Sequence, residues 1–195
     1  MEFTPRIVRD HILTSNNLPA ARFQIDPQFT YVGNTTFILD DVTHIEQHHF
    51  VTANAAMRVD RLLWFQFEGF LDDKRRFNYT NMETMTLENF TFLHDADVMN
   101  IDDDYAERPT SDSAHVVDFL KQKGYTIEGE VMFKRMVWLD TDMRNELMII
   151  YSEDLNSIGL SISDLKKDEN LTETWSRISA DLHKRAVSSF SIDTE

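Results

Sequence analysis

The chain has 195 residues, a formal net charge of -15 and no cysteine. This excludes disulfide scaffolds, zinc ribbons and thiol nucleophiles, and it argues against a nucleic-acid backbone or an anionic membrane as partner. The fourteen Phe supply one domain with a substantial core, while the absence of an apolar signal core in MEFTPRIVRD or of any stretch approaching a membrane span leads us to expect a cytoplasmic protein.

Thr4-Pro5 reads as an N-cap followed by Pro at the first helical position. Ile7, Val8, His11 and Ile12 then recur at helical spacing, which predicts a short N-terminal helix to about Leu13. Residues 15–28 read as irregular. Residues 29–32 and 35–39 are strand-like around Gly33-Asn34, which is either a two-residue hairpin turn or a bulge within one longer strand. Asp40-Asp41 makes the next turn.

Residues 42–71 hold two strand-like runs flanking a polar break at 53–57, the sequence form of a β-hairpin. Side chains alternate faces along a strand. The even positions of the first run are Val42, His44, Glu46, His48 and Phe50; those of the second are Leu62, Trp64, Gln66, Glu68 and Phe70. The odd positions of the second run, including Leu63, Phe65 and Phe67, are apolar and predict packing on the main core. A turn centred near Ala56 pairs His48 with Trp64, Glu46 with Gln66 and His44 with Glu68. The even face then carries imidazoles, carboxylates, an amide and an indole together. An antiparallel sheet often keeps one wet face, so solvation is the plainer account of such residues.

No metal is assigned to this cluster. Residues two apart on a strand lie about 6.7 Å apart and those four apart about 13 Å, so His44 and His48 cannot both reach one ion from an extended strand.

Residues 72–76 form a charged turn, and 77–79 and 85–93 are strand candidates, the latter apolar on both faces. Residues 94–108 read as an acidic loop without the glycine and distal glutamate of an EF-hand. A helix over 112–123 ends at Gly124. Residues 130–139 and 146–153 form a second hairpin, apolar on both faces and therefore central; Glu130, Lys134, Arg135 and Glu146 are expected to meet as cross-strand ion pairs. A short helix over 161–167 precedes a long one over 171–190, with Asn170 and Glu173 spaced as a capping box.

These elements predict an α+β domain: a strongly curved antiparallel sheet or incomplete β-barrel of about seven or eight strands, with N-terminal, mid-chain and C-terminal helices packed on it. Such a sheet leaves a pocket for a small, mostly apolar or aromatic molecule. Its expected lining is Phe50, Trp64, Gln66, Met132, Met136 and Trp138. An enzyme is the alternative, with His44, Glu46, His48 and Glu68 of the central hairpin as acid-base groups or as a metal-assisted cluster, in which one pair of strand neighbours joins Glu68 or Gln66 across the hairpin. A third reading is an interaction subunit whose aromatic surface is covered by a partner, including a second copy of the chain. The sequence names no cofactor.

Overall fold

The computed structural model describes residues 6–167 and 170–193. Its centre is a seven-stranded antiparallel sheet made of β4 (Thr30–Leu39), β5 (Thr43–Ala53), β6 (Val59–Phe70), β10 (Asn145–Asp154), β9 (Glu130–Leu139), β8 (Phe90–Asn100) and β7 (Glu83–Leu87), in that spatial order. A second antiparallel sheet joins β1 (Ile7–Arg9), β2 (Ile12–Asn16), β3 (Ala20–Ile25) and β13 (Phe190–Asp193). The helices are α1 (Ile101–Glu107), α2 (Asp112–Gln122), α3 (Ile162–Leu165) and α4 (Glu173–Ser188); β11 (Lys166–Lys167) and β12 (Asn170–Leu171) form a small ribbon before α4.

The larger sheet is covered on both faces. On its sandwich face, Phe50, Leu63, Phe65, Met132, Met136 and Ile149 meet Leu13, Phe23 and Ile192 of the smaller sheet and Trp175, Leu182 and Ala186 of α4. On its helical face, Leu62, Trp64, Val131, Met148 and Ile150 meet Ile101 of α1 and Val116, Val117 and Leu120 of α2. Phe23, Phe29, Phe50, Phe65 and Phe92 are fully buried; each contributes about 1.5–3 kcal/mol relative to exposure.

Three expectations are corrected. The sheets are neither closed nor strongly curled: β4 and β7 are free edges of the larger sheet, and a second sheet covers the face that closure would have hidden. There is no helix over residues 6–13. The β-branched Ile7, Val8 and Ile12 favour strands, and Asp10 and His11, with φ of 49° and 61°, make the two-residue turn between β1 and β2. The expected cap at Thr4-Pro5 lies outside the described residues. Residues 94–108 are not a loop: β8 runs into α1, whose first turn is capped by the Asn100 side chain.

Smaller differences follow the same logic. Residues 30–39 are one strand with a bulge between Tyr31 and Gly33. Residues 85–93 divide into β7 and β8 around Glu88, whose φ is 50°. Residues 77–79 are not a strand. Thr172 rather than Asn170 caps α4, accepting from the Trp175 backbone N–H. The second hairpin and α2 match their expected positions to within a residue.

Gly33 lets α2 approach the bulge. Its φ is +133°, and a Cβ there would sit 3.2 Å from Cζ of Phe119. The Gly33→Ala variant is expected to lose about 1–3 kcal/mol from backbone strain and crowding, measured as a lower urea midpoint without a change in slope.

Candidate functional site

The hairpin of β5 and β6 carries an extra residue beside its turn. Ala53 pairs with Val59, which centres the turn on Ala56 as expected, but the register shifts between Thr52 and Ala53. Beyond that bulge His48 opposes Phe65, His49 opposes Trp64, Glu46 opposes Phe67 and Gln47 opposes Gln66. A one-residue slip moves a strand's whole side-chain set to the other face. The expected cluster is therefore divided between the two faces. Glu46, His48 and Phe50 share the sandwich face with Met132, Met136 and Trp138, while Trp64, Gln66 and Glu68 lie on the helical face. His44 is half-buried at the far end of β5, opposite Gly69. The polar face is not solvated either: Glu46, Gln47, His48, His49 and Gln66 are each at most 1% exposed.

On the sandwich face Glu46 anchors a chain of buried bonds. Its Oε2 accepts from Arg6 Nη1 at 2.7 Å, and its Oε1 accepts from the Arg6 backbone N–H at 3.1 Å. His48 Nε2 lies 2.9 Å from the same Oε1, and His48 Nδ1 lies 3.0 Å from the Tyr31 hydroxyl. A ring with its proton on Nε2 satisfies both bonds, donating to Glu46 and accepting from Tyr31. Burial pushes the Glu46 carboxyl up, but the bonds from His48 and Arg6 outweigh it and hold the group below its ordinary value. Burial and the Glu46 charge push Tyr31 up to about 12. Arg6 also reaches Ser15 and the carbonyls of Asn17 and Leu18, so the chain ties the smaller sheet to the larger one. Partners this complete describe a structural latch.

The helical face holds a different polar group, drawn from β5, β6, β9, β10, α2 and the segment around Tyr79. Gln47 Nε2 donates to Gln66 Oε1 at 2.8 Å and to the Asp112 carbonyl at 3.1 Å. Gln66 Nε2 donates to Glu68 Oε2 at 3.0 Å and Asp112 Oδ2 at 3.1 Å. Glu68 stands opposite Glu146 in the β6–β10 register, and Tyr79 O–H donates to Glu146 Oε2 at 2.7 Å. Arg135 forks onto Asp95 and passes 5.9 Å from the Tyr79 ring. Burial, then the Glu68 charge, pushes Glu146 up to about 8. Burial and Asp112 likewise raise Glu68. The buried His49, stacked on Phe119 at 4.6 Å, is pushed down to about 3 by burial.

Beside this group, between the sheet and α1–α2, lies a cavity of ≈ 170 Å³. Trp64, Val117, Ile127, Val131, Met148 and Ile150 supply apolar wall; Asp104, Arg108, Asp112 and Arg135 also line it. Trp64 Nε1, Gln47 Oε1 and Glu146 Oε1 are buried without a hydrogen-bond partner among the described residues, which is uncommon and draws attention to this face. Among the described residues, no three His, Cys, Asp or Glu converge as a metal site. No family model, curated protein or solved structure matches the chain.

Of the expected site residues, only Trp64, Gln66 and Glu68 belong to the helical-face arrangement. Gln47, Tyr79, Asp112, Arg135 and Glu146 complete it. The expected ion pairs within the second hairpin are replaced: Arg135 takes Asp95, Glu146 takes Tyr79, Lys134 takes His94 and Glu130 accepts from the Ile162 backbone N–H.

Two measurements test these assignments. Arg6→Met leaves the Glu46 carboxylate buried and is expected to cost about 3–5 kcal/mol in urea unfolding, with partial recovery in Arg6→Met/Glu46→Gln. Glu146 holds its proton to about pH 8 when folded but has an ordinary value of 4.5. The folded chain therefore binds more protons across that window, and this group's contribution lowers stability as pH rises. His49, with an ordinary value of 6.5 and about 3 when folded, acts oppositely from about 3 to 6.5. The Glu146 effect is thus resolved between pH 6.5 and 8. Glu146→Gln is expected to flatten that part of the stability profile, removing the loss of about 2 kcal/mol that this group gives the wild-type chain between pH 6.5 and 8.

Proposed function

We propose that the protein binds a small, mostly apolar or aromatic molecule in the cavity between the larger sheet and α1–α2. The observation that carries this reading is the Trp64 indole N–H, a buried donor without a partner among the described residues in an otherwise largely apolar cavity. Pockets of this kind hold a ligand by apolar contact and orient it with a few polar groups. An apolar cavity of about 150 Å³ accepts benzene, so the ≈ 170 Å³ here suits a molecule of one ring. The free donor calls for an acceptor on that ring, a carbonyl or hydroxyl oxygen. Arg108 and Arg135 are already engaged by Asp104 and Asp95, which favours a neutral ligand over an anion. The aromatic side chains that a partner interface would need are largely covered by the chain's own helices: Trp64 is 9% exposed and Trp138 is half-buried against the core.

A second reading, turnover beside the cavity, draws support from Glu146, which neighbours the lining residues without being one of them. A carboxyl that keeps its proton to about pH 8 suits a general acid, and Glu68 opposite it is the nearest base. The Glu46–His48 pair is a poorer candidate, since its bonds are complete and it lies on the face away from the cavity.

Native mass spectrometry of freshly purified protein, with ligand-observed NMR against toluene, benzyl alcohol and benzaldehyde, tests the binding reading. The oxygen-bearing rings are expected to bind more tightly than toluene, and Trp64→Phe is expected to remove that preference, a loss of about five- to tenfold. No co-purifying mass and no binding by any of the three would overturn it. Conversion of a bound ring compound by the wild-type chain, reduced at least about a hundredfold in Glu68→Gln, would favour turnover over carriage.

A further inference from the structure

Lys134 occupies the middle of β9 on the sandwich face, away from the cavity, between Met132 and Met136 in the core. It is 4% exposed. Long cationic side chains are rarely buried so completely unless a carboxylate accompanies them. Among the described residues no carboxylate bonds Lys134; its Nζ lies 2.6 Å from Nδ1 of His94 on β8. In its ammonium form the side chain has only N–H groups to offer, and this ring nitrogen is then the acceptor. His183 of α4 stands over the pair, its ring 6.1 Å from that of His94. Both imidazoles are half-buried, so the amine lies one side chain in from the surface.

The other charged or titratable neighbours do not replace this partner. Glu83 on β7 pairs in register with His94, and Asp95, next to His94, is turned to the other face and held by Arg135. Tyr151 opposes Lys134 on β10, but its hydroxyl donates to Glu153, which also holds Arg185 of α4. Burial pushes Lys134 below its ordinary value, against the pull of Asp95 and Glu83. Burial, and Lys134 itself, keep both imidazoles low and hence in the basic form that accepts a proton.

We propose that Lys134 is a nucleophilic amine that captures small aldehydes as an imine, with His94 as the proton acceptor beside it. A nucleophile within hydrogen-bond reach of a base is the arrangement such chemistry requires. The Nζ lone pair forms the C–N bond as the carbonyl π electrons move to oxygen. His94 takes a proton from nitrogen and returns it to that oxygen. A second proton passed through the His94 ring lets that hydroxyl leave as water while the nitrogen lone pair forms the C=N bond, and the remaining N–H proton goes back to the ring. One amine and one aldehyde give one imine and one water, with no oxidant or reductant. The half-buried rings restrict the site to small aldehydes.

Propanal with cyanoborohydride, which reduces the imine to a stable secondary amine, reads the site out by peptide mass mapping of the intact folded protein. At pH 7 Lys134 is expected to be labelled about tenfold faster than Lys184, whose side chain is 75% exposed. The labelling rate at Lys134 is expected to level off at a lower pH than at Lys184. His94→Gln, checked for an unchanged thermal melt, is expected to slow labelling at Lys134 about tenfold and leave Lys184 unaffected. Equal labelling of Lys134 and Lys184 in the wild-type chain would overturn the proposal. An unchanged Lys134 rate in a folded His94→Gln variant would overturn the role of His94.

Discussion

A sheet covered on both faces leaves its central strands no route to solvent, and every polar side chain on them must be satisfied inside the protein or remain at a cost. β5, β6 and β10 are such strands, and they carry Glu46, Gln47, His48, His49, Gln66 and Glu146. Most of the distinctive chemistry of the molecule follows from how these groups are partnered. On the sandwich face the partnering is complete, because Arg6 arrives with a guanidinium and a backbone N–H for the same carboxylate. On the helical face it is incomplete, and the unpartnered atoms lie on the face that holds the cavity.

The two faces therefore serve different ends. Glu46 is held ionised by strong donors, and its bonds brace one sheet against another. Glu146 is held protonated by burial and by a second carboxylate, and the donor bonded to it among the described residues is a phenol. The same residue type occupies adjacent regions of one sheet in opposite charge states. Environment rather than identity sets the role, as it does wherever carboxyl groups are tuned apart.

Much of the scaffold was legible in the sequence and the site was not, for a specific reason. The β9–β10 hairpin and α2 announce themselves through sustained alternation, helical spacing and Gly124. The turn at Ala56 is also correctly centred. One extra residue in β6, Asp60, lying between the Thr52–Arg61 and Ala53–Val59 pairs, then reverses which residues of β5 share a face with β6. Both parities of β5 mix polar and apolar residues, so no local pattern distinguishes the two registers. Residues 6–13 failed differently: five apolar or half-apolar positions fit a helix and a tight hairpin equally well, and pairing with β3 decided between them. Asp112 and Tyr79 reach the helical face only through tertiary packing, which no spacing in the chain reveals.

β13 closes the smaller sheet by pairing with β3, Phe190 beside Ile25 and Ile192 beside Phe23. During synthesis β3 leaves the ribosome long before its partner exists. Until residues 190–193 emerge, Phe23 and Ile25 belong to a sheet with one side unfilled, and Phe65, which meets Phe23 at a tilt and Phe190 edge-on, lacks part of its cover. Contacts so distant along the chain form late and slowly. The nascent chain accordingly passes through a stage in which part of this aromatic surface is uncovered.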